Sequence, residues 1–348
     1  MKVAIITDQH FGARKSNRIF HDFFLKFYNN IFFPTLEERD IKVVIDLGDT
    51  FDNRRNIDLW SIHWARKNYY NRLDKMGVNV YSVVGNHTAY FKDTNNINTL
   101  DNVLGQYDNI KIYSKPTEVN IGGLGILFIP WINQENAEET FQLIEKTTCE
   151  CAMGHLELNG FEVRRGLIMD HGDESGRYKK FKQVFSGHYH HKSSRANVKY
   201  LGNPYQIYWN DYKDQRGFHI FDTDTLELEY IQNPYEIYEK IYYDESKVNS
   251  SKFKYKDYSE KFVKVVVEKK NDSHKFDFFV TQLFAAGVHE VKIIEDPSFE
   301  SDLQEEIDIE TEDTLTILER YVDDLEYQDK SGLKNLLKSL YVEALELV

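Results

Sequence analysis

Apolar and polar positions along the first ninety residues alternate between two textures. Continuous apolar runs occur at Val3-Ala4-Ile5-Ile6, at Val43-Val44-Ile45-Asp46-Leu47 and over 80–84. Runs of that length and composition predict strands buried on both faces. Between them, apolar side chains recur at helical spacing. Ile19, Phe23, Phe24, Phe27, Tyr28 and Ile31 mark a helix over 17–39, and Leu59, Ile62, His63, Tyr69, Tyr70 and Leu73 mark one over 56–76, stopped by Gly77. This βαβαβ order predicts an α/β layered sheet.

From residue 105 the apolar runs shorten. Strands are expected at 110–113, 117–121 and 124–129, with a helix near 134–147, then strands at 149–153, 182–186, 198–201, 217–221 and 226–231. The simplest arrangement gathers these into a second, mixed sheet packed on the first. Over 232–260 the composition shifts to Tyr, Lys and Asp. A strand over 262–267, a helix over 274–286 and a strand over 288–294 then form a small βαβ unit. The expected organisation is therefore 1–240 as the main domain, 241–295 as an accessory domain, 296–310 as an acidic linker and 311–348 as a helical pair. In that pair, Leu315, Leu318, Val322 and Leu325 line one helix, and Leu333, Leu336, Leu337, Leu340, Tyr341 and Leu345 the next.

Net charge modifies this picture. The chain of 348 residues carries −14. Residues 296–348 alone hold 16 acidic and 4 basic residues, a net of −12, which leaves −2 for the rest. Within the rest, 246–275 holds nine Lys against four acids. The acidity belongs to the tail and does not exclude a basic surface that binds DNA. Cys149 and Cys151 are expected as reduced thiols sharing a strand face. No secretory pattern and no span long enough for a bilayer is read from the sequence, so the expectation is a cytoplasmic protein with no membrane partner.

The chemistry lies at strand tips. Asp8-Gln9-His10 follows the first strand, Gly48-Asp49 the second and Gly85-Asn86-His87 the third. Gly154-His155 and Gly187-His188-Tyr189-His190 follow two later strands. Any one of these could merely cap a helix. As an ordered set, Asp8, His10, Asp49, Asn86, His155, His188 and His190 form a mixed N/O donor group suited to Mn²⁺, Fe, Zn²⁺ or Mg²⁺. Asp49 is the central tip, and its two carboxylate oxygens can bridge two cations. His87 directly follows Asn86 and is the candidate to protonate a leaving oxygen or to donate to phosphate.

These motifs resemble the calcineurin-like metallophosphoesterase pattern. The resemblance implies a four-layer α/β/β/α sandwich and two divalent ions, Mn²⁺ or Mg²⁺. One would be held by Asp8, His10, Asp49 and His190, the other by Asp49, Asn86, His155 and His188. His87 would be catalytic. Within that superfamily the chain looks most similar to the SbcD-type nuclease subunit of double-strand-break repair complexes, in particular a phage recombination endonuclease subunit. Tyr200-Leu201-Gly202-Asn203-Pro204-Tyr205 resembles that group's signature after the last metal motif. The small βαβ unit resembles its DNA-capping domain. The C-terminal helical pair resembles its docking element for the coiled coil of an SMC-like ABC ATPase. A homodimer is implied as well. The chain departs from the pattern at Thr88 and Asn203, and at Asp52, where relatives often place a histidine; Asp52 is assigned no role.

The resulting expectation is a Mn²⁺-dependent DNA nuclease, exonuclease or endonuclease, working with an ATPase in recombination and repair and using two-metal hydroxide attack. A phosphatase or phosphodiesterase for small molecules or proteins is the alternative, or a metal-free scaffold of the same fold. Candidate DNA contacts are Arg54 and Arg55 beside the metal motif, and Lys252, Lys254 and Lys256, which alternate with Phe253 and Tyr255. Those lysines could equally be the charged face of a strand.

Overall fold

The computed structural model describes residues 1–295, with Tyr321, Val322, Lys330 and positions 333–334 and 336–337 beyond them. The linker expected at 296–310 lies outside the described residues, and so, apart from those seven positions, does the helical pair at 311–348.

Among the described residues, two six-stranded sheets dominate. The first runs in the order Leu228–Asn233, Arg216–Asp222, Lys2–Ile6, Val43–Asp46, Asn79–Val83, Ile110–Tyr113. Its last four strands are mutually parallel, and Arg216–Asp222 runs antiparallel to Lys2–Ile6. The second runs Ser193–Arg195, Val198–Tyr200, Gln183–Ser186, Cys151–Gly154, Leu124–Ile129, Thr117–Ile121, with four parallel strands at its centre.

Two sequence expectations are corrected here. The strand Ile110–Tyr113 and the hairpin of Arg216–Asp222 with Leu228–Asn233 belong to the first sheet, where each extends an edge. Cys149 precedes the strand it was expected to share with Cys151. It is half-buried while Cys151 is buried, and both are free thiols.

Alternation along the strands builds the layers. Ala4, Ile6, Val44 and Val80 face a core filled by Phe20, Phe24, Phe27, Tyr28, Trp64 and Tyr69 from the helical segments. Their neighbours Val3, Ile5, Val43 and Ile45 face the opposite way, against Ile126, Phe128, Met153 and Phe185 of the second sheet. The outer face of the second sheet, with Leu127, Ala152 and Val184, packs against Ile144 of the helix Ala137–Lys146 and against Tyr178 and Phe181. The result is helices, sheet, sheet, then helix and loops, a sandwich in which each strand's period-two pattern serves two cores.

The predicted helix at 17–39 is capped by Asn17 and runs Arg18–Phe27. It then opens into a wider turn at Tyr28–Phe32 before continuing as Phe33–Glu38. Pro34, with no N–H to give the ladder, is the second residue of the helix that follows that turn. The second helical segment repeats the device at Arg66–Tyr70.

The chain divides into two units. One comprises Met1–Lys240, Lys254–Val263 and Phe278–Val291. The other comprises Ile241–Phe253, Lys264–Asp277 and the described residues from Lys292 on. In the second unit, the Tyr243 and Phe276 rings meet edge to face at 4.9 Å. Glu245 accepts from the backbone N–H of Asn271 and Asp272 at 2.6 and 2.9 Å. Strands Tyr238–Asp244, Phe262–Lys269 and Glu290–Ile294 form a three-stranded sheet, with the helix Ser273–Ala285 in the chain between the last two. Lys252, Lys254 and Lys256 are exposed, and their alternation with Phe253 and Tyr255 is not a strand: the segment leads into a single tight turn at Tyr255–Tyr258.

Candidate metal centre

Parallel strands of both sheets end at one place. The tips after Lys2–Ile6, Val43–Asp46 and Asn79–Val83 carry Asp8, His10, Asp49, Asn86 and His87, while those after Cys151–Gly154 and Gln183–Ser186 carry His155, His188 and His190. Ligand sites at the carboxyl ends of parallel strands follow from sheet geometry, because the loops there diverge and leave a crevice.

Backbone bonds fix the tips against one another. The Asp8 N–H donates to Gly48 O and the His10 N–H to Asp49 O, both at 3.0 Å. The His188 N–H donates to the Asp8 carboxylate at 3.0 Å, and the His87 N–H to Asp49 Oδ1 at 2.9 Å. Asp8, His10, Asp49 and His188 all have positive φ, at 52°, 47°, 51° and 84°. That conformation costs a non-glycine residue on the order of 1–3 kcal/mol, and such strain collects at functional sites. Gly48, with φ 103°, has no room for a side chain, since a Cβ there would lie 2.6 Å from His155 Nδ1.

Seven predicted donors and His87 converge. His10 Nε2 lies 2.9 Å from His190 Nε2. Asp49 Oδ2 lies 3.0 Å from His155 Nε2, which is 2.8 Å from Asn86 Oδ1. His188 Nδ1 lies 3.1 Å from the same Asn86 oxygen. Three donor groups are compact among the described residues: Asp8 with His10 and His190, Asp49 with His155 and His188, and His10 with Asp52 and His87.

The donor chemistry fits cations. His155 spends its Nδ1 proton on the Leu47 carbonyl at 2.8 Å, so its Nε2 presents a lone pair toward two acceptor oxygens. His10 directs Nδ1 to Asp52 Oδ1 at 3.1 Å, which turns its Nε2 toward the His190 nitrogen. Lone pairs aimed at one another in a buried site repel unless a proton or a cation lies among them. The buried Nε2 of His188 has no hydrogen-bond partner. His/Asp clusters of this kind are able to hold metal ions.

The electrostatics agree. Burial would raise the Asp49 carboxyl, but the imidazoles of His155 and His87 hold it well below the usual carboxylate range. Burial would lower His155, yet Asp49 raises it on balance. Burial and the neighbouring His155 push His188 far down, and burial and His10 do the same to His190. Those two rings are neutral, the form that coordinates metal.

Several residues at the centre had no role in the sequence reading. Asp52 binds two histidines: its carboxylate holds His10, and its backbone oxygen lies 2.6 Å from His87 Nδ1. Asp46 is buried beneath the second tip and bonded by Gln9, Thr50 and the Gly48 N–H; burial raises its carboxyl to about 7. An acid inside the apolar run 43–47 was the available signal for it. Arg216 is buried, donates to His190 O and Asn203 Oδ1, and pairs with Asp211 and Asp214 at 2.7 and 2.9 Å. Tyr205, from the 200–205 signature, stacks on Phe24 at 3.8 Å and donates to Gln9 O at 2.6 Å, tethering the first tip. Arg54, half-buried, and Arg55, exposed, follow Asp52 in the chain. Lys252, Lys254 and Lys256 are not among the converging residues.

Residues 1–192 match the family described as calcineurin-like phosphoesterase. Exonuclease subunit 1 of Enterobacteria phage T4 is 33% identical over 314 residues, covering 88% of this chain and 89% of that protein. A solved structure described as an archaeal phosphodiesterase overlaps 67% of this chain and all of its own, at 13% identity and a TM-score of 0.32, too slight a likeness to carry weight. No helix among the described residues is long and apolar enough to cross a membrane.

Proposed function

The chain belongs to the calcineurin-like phosphoesterase family, and on that premise we propose that it is the metal-dependent DNA nuclease subunit of a recombination and repair complex. The observation that carries this reading is the convergence of Asp8, His10 and His190 with Asp49, Asn86, His155 and His188, and of His87 beside them. A subunit-type relative aligned along most of both chains supports the nuclease assignment.

In this reading Asp8, His10, Asp49 and His190 hold one divalent ion, Asp49, Asn86, His155 and His188 hold the other, and Mn²⁺ is the physiological metal. Bound there, the ions supply Lewis acidity that polarises the phosphodiester and brings a water's pKa down toward ~7. The protein's own residues do the positioning. The Asp52 carbonyl accepts only, so the His87 proton there sits on Nδ1 and the Nε2 edge faces the metal centre, 4.0 Å from Asp49 Oδ2. From that edge a protonated His87 gives its proton to the departing 3′ oxygen. Asp49 keeps its charge through burial because His155 and His87 face it. Arg54 and Arg55 contact strand phosphates at the rim, with Lys252, Lys254 and Lys256 as further contacts. The C-terminal helical pair docks the coiled coil of an SMC-like ATPase, and the nuclease subunit dimerises.

The test is hydrolysis of end-labelled single-stranded DNA with Mn²⁺, with Mg²⁺ and with chelator, set beside p-nitrophenyl phosphate. Metal-dependent DNA cleavage that exceeds phosphomonoester hydrolysis is expected. The reverse order would assign the site to a phosphatase.

A further inference from the structure

A second site lies away from the metal centre. A cavity of about 640 Å³ is lined by Lys192, Ser193 and Arg195 at one edge of the second sheet, by Lys199 and Leu201, and by His219 and Leu228 from the first sheet. The short hairpin of Glu162–Arg164 and Leu167–Ile168 contributes Phe161, Glu162 and Ile168 to its wall. None of the eight residues of the metal centre lines it. Its volume falls within the ~300–1,000 Å³ typical of small-ligand pockets.

The wall has an unbalanced charge. Lys192, Arg195 and Lys199 face it, against one carboxylate, Glu162. Glu162 is partly engaged, accepting from the Gly166 N–H at 2.6 Å and standing 3.8 Å from His191 Nε2. The nearest cation partners are aromatic faces. Lys192 Nζ lies 3.2 Å from the Tyr230 ring centre, and Lys199 Nζ 5.8 Å from that of Phe185. Among the described residues no carboxylate lies within ion-pair distance of any of the three cations.

Polar groups around the cavity also lack partners. Ser193 Oγ and the Tyr230 hydroxyl are buried with no hydrogen bond. His219 is 6% exposed, its ring is tilted against that of Tyr230 with centres 5.2 Å apart, and among the described residues its side chain has no hydrogen-bond partner. Burial, with Lys192 and Lys199 nearby, holds it down at about 3, so it is a neutral imidazole. Buried hydroxyls and imidazoles are ordinarily satisfied, and unsatisfied ones beside cations that lack a carboxylate partner form the kind of donor set that an anion engages. Phe161, Ile168, Leu201 and Leu228 supply apolar surface to the same wall.

We propose that this cavity binds a phosphomonoester of nucleotide size, its phosphate on Lys192 and Lys199 beside His219, its base or sugar against the apolar residues, and Arg195, across the sheet edge, adding positive charge to the rim. Two sources share that chemistry, a free nucleoside monophosphate and the phosphorylated end of a DNA strand. The assignment does not depend on the nuclease reading.

The experiment is calorimetric titration of the full chain with dAMP in phosphate-free buffer containing chelator. It is run on the unaltered protein, on Asp49→Asn, on Arg195→Glu/Lys199→Glu and on the milder Arg195→Gln/Lys199→Gln, each checked for fold by circular dichroism. Saturable binding is expected in the unaltered protein and in Asp49→Asn, weakened about tenfold or more by either double substitution. Competition by a 5′-phosphorylated oligonucleotide, and not by its unphosphorylated form, would assign the site to strand ends. Competition by inorganic phosphate alone would assign it to free nucleotides. Absence of saturable binding at millimolar dAMP, binding abolished by Asp49→Asn, or binding indifferent to both double substitutions would overturn the proposal.

Discussion

The backbone carbonyl oxygen of Asp52 lies 2.6 Å from Nδ1 of His87. A carbonyl can only accept, so this contact fixes the proton on Nδ1 and turns Nε2 toward the metal centre, 4.0 Å from Asp49 Oδ2. A main-chain acceptor performs this orientation independently of the side chain at position 52. His87→Ala is therefore expected to keep its metal content and to lose DNA cleavage by the ~10²–10⁴-fold typical of an acid–base group. Metal analysis and cleavage rate, measured on one preparation, check both halves. Unchanged cleavage would remove His87 from the chemistry.

The Asp52 side chain acts on a different partner. Its carboxylate holds His10 Nδ1 at 3.1 Å and so directs His10 Nε2 into the centre. Asp52→Asn retains an acceptor oxygen and the main-chain carbonyl, and should change activity little. Asp52→Ala removes the support from His10, and loss of such an outer partner costs ~10–100-fold in metal affinity. The activity of Asp52→Ala should therefore recover at high Mn²⁺, whereas that of His87→Ala should not. A Mn²⁺ titration of the rate separates the two.

Asp49 stands between the two donor groups. Oδ2 lies 3.0 Å from His155 Nε2, and Oδ1 accepts the His87 N–H. Asp49→Asn keeps the shape and removes the charge. Ion content should fall at both positions together, by at least the ~10–100-fold that an outer-shell loss costs. Equilibrium dialysis with elemental analysis measures this, and a variant that loses one ion and keeps the other would contradict the bridging role.

Much of this centre was legible because its residues sit at ordered strand tips, each after an apolar run: Asp8, Asp49, Asn86 and the later histidines needed only period and punctuation. The layered core was legible for the same reason. What escaped was long-range. The place of Ile110–Tyr113 depends on pairing with Asn79–Val83 about thirty residues earlier, and that of Arg216–Asp222 on pairing with Lys2–Ile6 more than two hundred residues away, which local pattern does not carry. Asp52 and Arg216 act through partners 35 and 26 positions away, one through its main chain, and nothing in the local sequence marks such contacts. The alternating lysines at 252–256 show the converse: a period-two pattern over five residues was met by a turn, because Tyr255 and Phe253 find half-buried places without pairing into a sheet.

Stability should fall in mild acid through His219. Burial, then Lys192 and Lys199, lower this histidine to about 3, below the ~6.5 of an unfolded chain. Below ~6.5 the unfolded state takes up a proton that the folded state refuses, so stability declines as pH falls through that window. At pH 5 the loss from this group alone is about 2 kcal/mol relative to pH 7.5. Urea midpoints in chelator at the two pH values, compared with those of His219→Gln, isolate the contribution. An identical pH dependence in both proteins would show that His219 is not buried neutral.

The approach of Gly85 to Asp49 gives the sharpest packing prediction. A Cβ on Gly85 would lie 2.1 Å from Asp49 Oδ1 and 2.6 Å from Asp49 N. The first clash can be relieved by turning the carboxylate away, but the second is against main chain and cannot. Gly85→Ala therefore both strains the strand tip, by the ~1–3 kcal/mol of an overpacked interior, and displaces the central carboxylate. Gly176 is the matched control, because a Cβ there meets nothing within 4 Å. Gly85→Ala should lower the melting temperature by several degrees and abolish metal-dependent cleavage even where the protein remains folded, while Gly176→Ala should leave both unchanged. Intact metal binding and cleavage in folded Gly85→Ala would mean that the Asp49 tip is free to move, and the close approach would then not be what holds the carboxylate in place.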